Sequence, residues 1–247
     1  MDENLIIFVV IGFVAQMIDG TLGMGYGLTS TAFLLSFGLP PAIASASVHT
    51  AEIFANGVSG LAHLKFGNVD KKLFKKLVIP GVLGGVAGAC FLVIIPGDKL
   101  IPFVAGYLLI MGLIILRKAF KKIQECQVET RLFPLGLTGG FVDAVGGGGW
   151  GPIVTSTLMA RGHNPQLAIS SANLAEFFVT TTQVVIFLAV LGLGGYWPII
   201  AALIVGSVLA APLSAYLCKK LPIKILMISV GLLIILLSVR MLYRLII

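Results

Sequence analysis

The sequence has 247 residues, of which 58% are hydrophobic and 11% are charged, with a net charge of +7. A soluble globular domain has about 25% charged residues, so this chain has too few charges to cover a water-facing surface. The composition excludes a soluble enzyme, a nucleic-acid-binding module and a disordered protein, and it favours a polytopic α-helical membrane protein. The three cysteines (Cys90, Cys126 and Cys218) have unrelated spacings and predict neither a metal site nor a disulfide framework.

Eight apolar segments are predicted along the chain. In order they are 5–37, 42–64, 77–95, 100–116, 132–161, 166–190, 198–217 and 225–245. Six of them are long enough to cross about 30 Å of hydrocarbon, although 42–64 and 166–190 carry polar residues in the middle. The other two are interrupted by glycines, at Gly20–Gly27 and Gly146–Gly151, which leaves short pieces of about 11–16 residues.

The chain contains an internal duplication. A shift of 124 residues without gaps places residues 19–54 on 143–178, with 13 identities in 36 positions. Asp19 meets Asp143 and Glu52 meets Glu176, and carboxylates are rare in membrane helices, so shared composition does not explain these matches. We therefore predict one integral membrane domain made of a first repeat (1–116), a basic linker (117–131) and a second repeat (132–247).

The distribution of basic residues predicts that the two repeats have inverted topology. Lysines and arginines mark cytoplasmic loops. Five lysines lie between residues 65 and 76, whereas the corresponding loop 191–197 has no charge. The next pair of loops shows the reverse, with basic residues in the second half at Lys219, Lys220 and Lys224. Each repeat is thus expected to be a Gly-broken helical hairpin, re-entrant or fully spanning, plus three transmembrane helices, with the linker on the cytoplasmic side of the plasma (cell inner) membrane.

The two glycine breaks predict a binding site. Irregular backbone in a bilayer is tolerated only where it is buried in protein or lines a cavity, and matching breaks in inverted halves point to a transporter's substrate site. A new half-helix starts after each break, and its free N–H groups suit an anion. Close helix packing, which we expect of Gly81, Gly84, Gly85 and Gly88, is the alternative. The predicted substrate-binding residues here are Gly23, Gly25, Tyr26, Gly27, Thr29, Gly147, Gly149, Trp150 and Gly151.

Two polar helix stripes are expected at the same depth as the breaks. Glu52 shares its stripe with His49 and Asn56, and Glu176 shares its stripe with Asn173, Thr180 and Gln183. These stripes should face the bundle interior, where an ionised carboxylate is costly, so Glu52 and Glu176 suit a role as proton carriers. Neutral hydrogen bonds that only fix helix packing are the alternative. His49, Asn56, Asn173 and Thr180 join the predicted substrate ligands, whereas Asp19 and Asp143 are expected to cap or brace the turns.

The doubled motif resembles a known family. The patterns Asp19-x3-Gly23-x-Gly25-x-Gly27 with Ser47-x4-Glu52, and Asp143-x3-Gly147-x-Gly149-x-Gly151 with Ser171-x-Asn173-x2-Glu176, are similar to the sulfite exporter TauE/SafE family of membrane transporters. The resemblance runs from about Leu5 to Leu242. It implies a bacterial or archaeal plasma-membrane carrier of sulfite, sulfoacetate or a related organosulfur or carboxylate anion. It also adds Ser47 and Ser171 to the predicted substrate ligands.

The leading hypothesis is a secondary transporter that moves a small anion with protons by alternating access. Its expected partners are the anion, protons and the lipid bilayer, and a homo-oligomer is compatible with the sequence. No cofactor, metal, nucleic acid or enzymatic activity is expected, and no nucleotide-binding motif is present. The alternatives are a cation carrier that uses the paired membrane carboxylates and, more remotely, an intramembrane aspartic enzyme in which Asp19 and Asp143 meet as a dyad.

Overall fold

The computed structural model describes residues 5–65, 69–120, 130–217 and 223–246, and every regular element within these ranges is helical. The first half contains α1 (Leu5–Leu22), α2 (Tyr26–Ser36), α3 (Pro41–Lys65), α4 (Lys71–Ile94) and α5 (Gly97–Lys118). The second half contains α6 (Leu132–Gly146), a π-helical turn (Gly151–Thr155) that continues into α7 (Ser156–Ala160), α8 (Pro165–Leu191), a 3₁₀ turn (Gly194–Tyr196), α9 (Trp197–Leu217) and α10 (Ile223–Ile246). Most of the predicted linker, Lys219 and Lys220 lie outside the described residues.

The predicted all-α membrane architecture is confirmed. Within the described ranges, four helices are long and apolar enough to cross a membrane, namely Lys71–Ile94, Lys99–Lys118, Leu167–Leu191 and Gly194–Ala211. Large apolar side chains cover the outer surface, where Ile94 is 78% exposed and Phe103 is 75% exposed, as expected of residues that face lipid. The helix α4 begins earlier than predicted because the Asp70 carboxylate caps it, accepting hydrogen bonds from the amides of Lys72 and Leu73 at 2.8 and 3.1 Å.

Both predicted chain breaks are present, but they are narrower than the sequence suggested. In the first half, α1 continues through Gly20 to Leu22, and α2 has started by Tyr26. Gly20 lies against the side chain of Ser214, which a Cβ at this position would overlap, so this glycine serves helix packing rather than a chain break. The first arm is therefore 18 residues long rather than the expected 11–16, which corresponds to about 27 Å of helix.

The helices of one half pack mainly against helices of the other half. The arm α1 packs on α9, and its counterpart α6 packs on α4. The polar helices α3 and α8 pack on each other, as do α5 and α10. This reciprocal pairing is the pattern expected of duplicated halves. The inverted topology and the domain bounds remain predictions.

Glycines form the seams between each hairpin arm and its partner. Gly84 and Gly88 of α4 face the backbone of Leu137 and Phe141 in α6, so closely that any Cβ would overlap main-chain atoms. Gly206 of α9 faces α1 in the same way. The predicted packing role of the α4 glycines is therefore confirmed, and these seams fix the position of each arm before its break.

Candidate functional site

The structure brings the tips of the two broken hairpins together inside the bundle. A Cβ added to Gly27 would lie 2.5 Å from the Cα of Gly148 and 3.0 Å from the carbonyl oxygen of Gly147. On the other side of the contact, a Cβ added to Gly151 would lie 2.7 Å from the Cα of Met24. The two tips therefore touch backbone to backbone, and an anion could enter between them only if they separated.

Asp143 braces the second tip. Its Oδ1 accepts hydrogen bonds from the backbone amides of Gly149 at 2.8 Å and Trp150 at 2.9 Å. Its Oδ2 lies 3.1 Å from Nε2 of His49 and accepts a hydrogen bond from Nε2 of Gln183 at 3.2 Å. The amides at the start of the return arm, which the sequence suggested for an anionic substrate, are thus bound by the protein's own carboxylate. This geometry fits the bracing role predicted for Asp143.

The first tip is held more loosely. Asp19 Oδ1 accepts a hydrogen bond from the Tyr26 amide at 3.4 Å, which is long for such a bond. The N-cap residue of α2 is Gly25, which has no side chain to cap the helix. Gly23 and Gly25 have φ values of 65° and 122°, a backbone conformation that favours glycine. Asp19 therefore occupies the bracing position predicted for it, but with one weak contact.

The sequence did not identify several side chains that hold the second tip. The Tyr107 hydroxyl of α5 donates a hydrogen bond to the Gly148 carbonyl at 2.8 Å. The Lys118 ammonium donates to the Pro152 carbonyl at 3.3 Å and to the Ser156 hydroxyl, which ties the end of α5 to the return arm. A lone tyrosine in an apolar span carries little signal, and the repeat places a glycine at the corresponding position, 231.

A set of buried polar atoms has no hydrogen-bond partner in the structure. Buried polar groups in folded proteins are almost always partnered, so each exception needs an explanation, above all in a membrane domain. We call these residues the open polar set. They are Gln16, Thr29, Ser30, Ser47, Glu52, Thr155, Thr180 and Gln183. The unpartnered atoms include the Thr29 and Ser47 hydroxyls and Glu52 Oε2, whereas the Tyr26 side chain meets Ser207 and the Asn56 side chain meets Glu176.

Other predicted ligands already have partners in the protein. The Ser171 hydroxyl accepts a hydrogen bond from the Asp70 amide at 2.9 Å, beside the start of α4. The Trp150 indole is fully buried and donates from Nε1 to the Ala172 carbonyl at 3.0 Å. Both ring nitrogens of His49 face protein atoms. Asn173 is buried at 4% exposure.

Four carboxylates are buried around the tips. Asp19, Glu52, Asp143 and Glu176 are at most 6% exposed, and each glutamate interacts electrostatically with both aspartates. The hydrogen-bond partners of Asp143 are two amides, His49 and Gln183, none of which is Asp19, so the two aspartates do not form the shared-proton dyad of an aspartic enzyme. Across the described ranges, no three His, Cys, Asp or Glu side chains converge as a metal site would require.

Comparisons with known proteins agree with this architecture. The model of a family described as "Sulfite exporter TauE/SafE" matches residues 8–241. A "Probable membrane transporter protein YtnM" of Bacillus subtilis (strain 168) is 41% identical, over 96% of this chain and 82% of that protein. No solved structure matches. The expectation of a multi-pass membrane transporter rather than an enzyme is confirmed, and the chain belongs to the sulfite exporter TauE/SafE family.

Proposed function

We propose that this protein is a secondary transporter that carries a small anion, such as sulfite, sulfoacetate or a related organosulfur anion, together with protons across the plasma membrane. The observation that carries the proposal is the open polar set. These groups come from both hairpins and from α3 and α8, the elements that meet at the tips. A ligand that enters when the tips part would complete their hydrogen bonds.

The chemistry of the open polar set favours an oxyanion over a metal cation. Sulfite and sulfonate oxygens accept hydrogen bonds, so their site needs donors. Hydroxyls of Thr29, Ser47 and Thr180 supply rotatable donors. The amide oxygens of Gln16 and Gln183 only accept hydrogen bonds. A hard cation would need several carboxylate oxygens that converge on one point, and among the described residues no three His, Cys, Asp or Glu side chains do so.

Proton coupling follows from the buried glutamates. If Glu52 and Glu176 were ionised, their charges would repel an anion beside them, and the effect is strong where water is excluded. Protonation of these side chains removes that repulsion and turns each carboxyl into a hydrogen-bond donor. Anion binding and proton binding therefore favour each other, so the two are expected to cross the membrane together.

Alternating access is proposed to arise from the duplicated halves. The tips in contact form the closed barrier, and the reciprocal packing of the two halves gives equivalent ways to open on either side. In the predicted orientation the linker 117–131 lies in the cytoplasm.

The test is uptake of labelled sulfite and sulfoacetate by liposomes that contain the purified protein. With the interior more alkaline than the exterior, we expect the anion to accumulate inside, because protons flow inward with it. Replacing Thr29 by Val should reduce uptake at least about tenfold if one charge-assisted hydrogen bond is lost. The matched control is Thr138→Val, since the Thr138 hydroxyl is exposed and bonds only within its own helix. Uptake of a metal cation in place of every anion tested would overturn the proposal in favour of the cation carrier.

A further inference from the structure

The His49 side chain of α3 is buried with both ring nitrogens facing oxygen atoms. Its Nδ1 lies 2.7 Å from the backbone carbonyl of Ser45, and its Nε2 lies 3.1 Å from Oδ2 of Asp143. The side chains of His49 and Asp143 are 0% and 1% exposed. The Ser45 hydroxyl also lies 3.2 Å from Nδ1, but it donates its proton to the Ala144 carbonyl at 2.7 Å. Because a carbonyl oxygen only accepts hydrogen bonds, the Ser45 carbonyl assigns the proton of the neutral ring to Nδ1.

This tautomer fixes the proton content of the contact with Asp143. Neutral imidazole with its proton on Nδ1 presents a lone pair at Nε2, and a carboxylate also presents lone pairs. A hydrogen bond between Nε2 and Oδ2 therefore requires one additional proton, held on either atom. The pair is then neutral overall, as imidazolium with carboxylate or as imidazole with carboxylic acid. Loss of that proton leaves two acceptors facing each other in a buried site.

The pair sits where it controls the second tip. The other oxygen of Asp143 holds the amides of Gly149 and Trp150, so the pair connects α3 of the first half to the return arm of the second half. The charged or titratable groups that face the pair are Glu52 on α3, Tyr107 on α5 and Glu176 on α8. Because Glu52 and Glu176 are acidic, removing the proton from the pair would add a negative charge beside carboxylates.

At the first tip, no titratable pair corresponds to His49 and Asp143. Under the shift of 124 residues, His49 corresponds to Asn173 and Tyr107 corresponds to Gly231. Neither asparagine nor glycine titrates, and the Asp19 brace consists of the long bond to Tyr26. The two hairpins are therefore alike in backbone and different in what holds them.

We propose that the His49–Asp143 pair is a proton-binding site that latches the second hairpin closed while the proton is present and releases it when the proton leaves. It rests on the proposed function in that the second hairpin must open for the anion to reach the open polar set, and the proton of the pair is separate from those that Glu52 and Glu176 carry with the anion. In this assignment His49 is a proton-binding positioning residue rather than a substrate ligand.

Tryptophan fluorescence tests the latch without any substrate. The chain has two tryptophans, and Trp197 is 46% exposed at the start of α9, so a Trp197→Phe background leaves the fully buried Trp150 of the second tip as the only indole. We expect quenching of Trp150 by a water-soluble quencher to increase as the pH is raised and the pair loses its proton.

The decisive comparison is His49→Asn in this background. Asparagine can still donate a hydrogen bond to Asp143 but cannot titrate, so the pH-dependent change should be lost. The control is His163→Asn, which removes a histidine that lies near Thr130, away from the pair, and should leave the change intact. A change that persists in His49→Asn, or a flat profile in the Trp197→Phe parent, would overturn the proposal.

A second measurement tests the latch even if the His49→Asn variant fails to fold, because it uses the parent protein. Nitrogen-15 labelling of histidine in the parent protein reports directly which ring nitrogen carries a proton. We expect Nδ1 of His49 to remain protonated throughout the titration while Nε2 responds to pH, and a deprotonated Nδ1 would exclude the latch. Because neither measurement uses an anion, failure of the latch is distinguishable from failure of the transport assay.

Discussion

The contact between the hairpin tips makes a strong prediction at Gly27. This residue lies in the first turn of α2, so replacement by alanine should favour the helix by about 1 kcal/mol if nothing else changed. However, the new Cβ would lie 2.5 Å from the Cα of Gly148, and no flexible side chain is there to move. Ordinary van der Waals contact would require the tips to separate by about 1 Å, and such overpacking costs about 1–3 kcal/mol.

The expected result is a shift away from the closed arrangement of the tips. A bias of 1–3 kcal/mol corresponds to about a 5–150-fold change in the population of that arrangement. If transport must pass through the closed arrangement, the rate of transport into liposomes should decrease by about 5–150-fold. The thermal unfolding midpoint in detergent should also decrease by a few degrees.

The matched control is Gly106→Ala in α5. Gly106 is also helical, and a Cβ there would meet no heavy atom within 4 Å. This variant should gain helix stability and keep normal transport. If Gly27→Ala and Gly106→Ala gave equal unfolding midpoints and equal transport rates, the inferred contact between the tips would be wrong.

Further predictions concern the buried polar groups. Replacing Glu52 and Glu176 together by Gln in the His49→Asn background should preserve anion binding, measured by calorimetry, and abolish its dependence on pH; a pH dependence that survives would show that other groups carry the protons. Trp150→Phe should lower the free energy of unfolding by about 1–3 kcal/mol, because the buried Ala172 carbonyl loses its donor. Thr29→Val should change stability by much less, since the Thr29 hydroxyl has no hydrogen-bond partner, and should instead weaken anion binding. Equal stability losses in these two variants would contradict the distinction.

The duplication explains which parts of the site were predictable. Residues that both halves share, such as Asp19 with Asp143 and the break glycines, stood out as matches in the sequence. The structure places these residues at the two breaks, with the aspartates bracing the turns. The length of the apolar runs was also enough to predict the helices, because a continuous apolar run in lipid has few alternatives to a helix.

Site residues that occur in only one of the two halves could not be predicted from the duplication. Tyr107 and Ser45 have no polar counterpart in the other half, so the internal alignment gives them no signal. The Ser45 hydroxyl donates a hydrogen bond to the Ala144 carbonyl at 2.7 Å, and the Tyr107 hydroxyl donates to the Gly148 carbonyl, so both roles depend on helices far apart in sequence that meet at one tip. The start of α4 was missed for a different reason, since its first turn contains lysines and depends on a cap rather than on apolar residues.

The pairing of each hairpin arm with a helix of the opposite half has a consequence for biogenesis. During synthesis α1 emerges about 190 residues before its partner α9, which at about 5–20 residues per second is a delay of roughly 10–40 s. Throughout that time the glycine-lined face of α1 is covered by lipid or by another protein. Neither half can complete its own interior, so separate expression of residues 1–116 and 132–247 should yield a stable protein only when both fragments are made together.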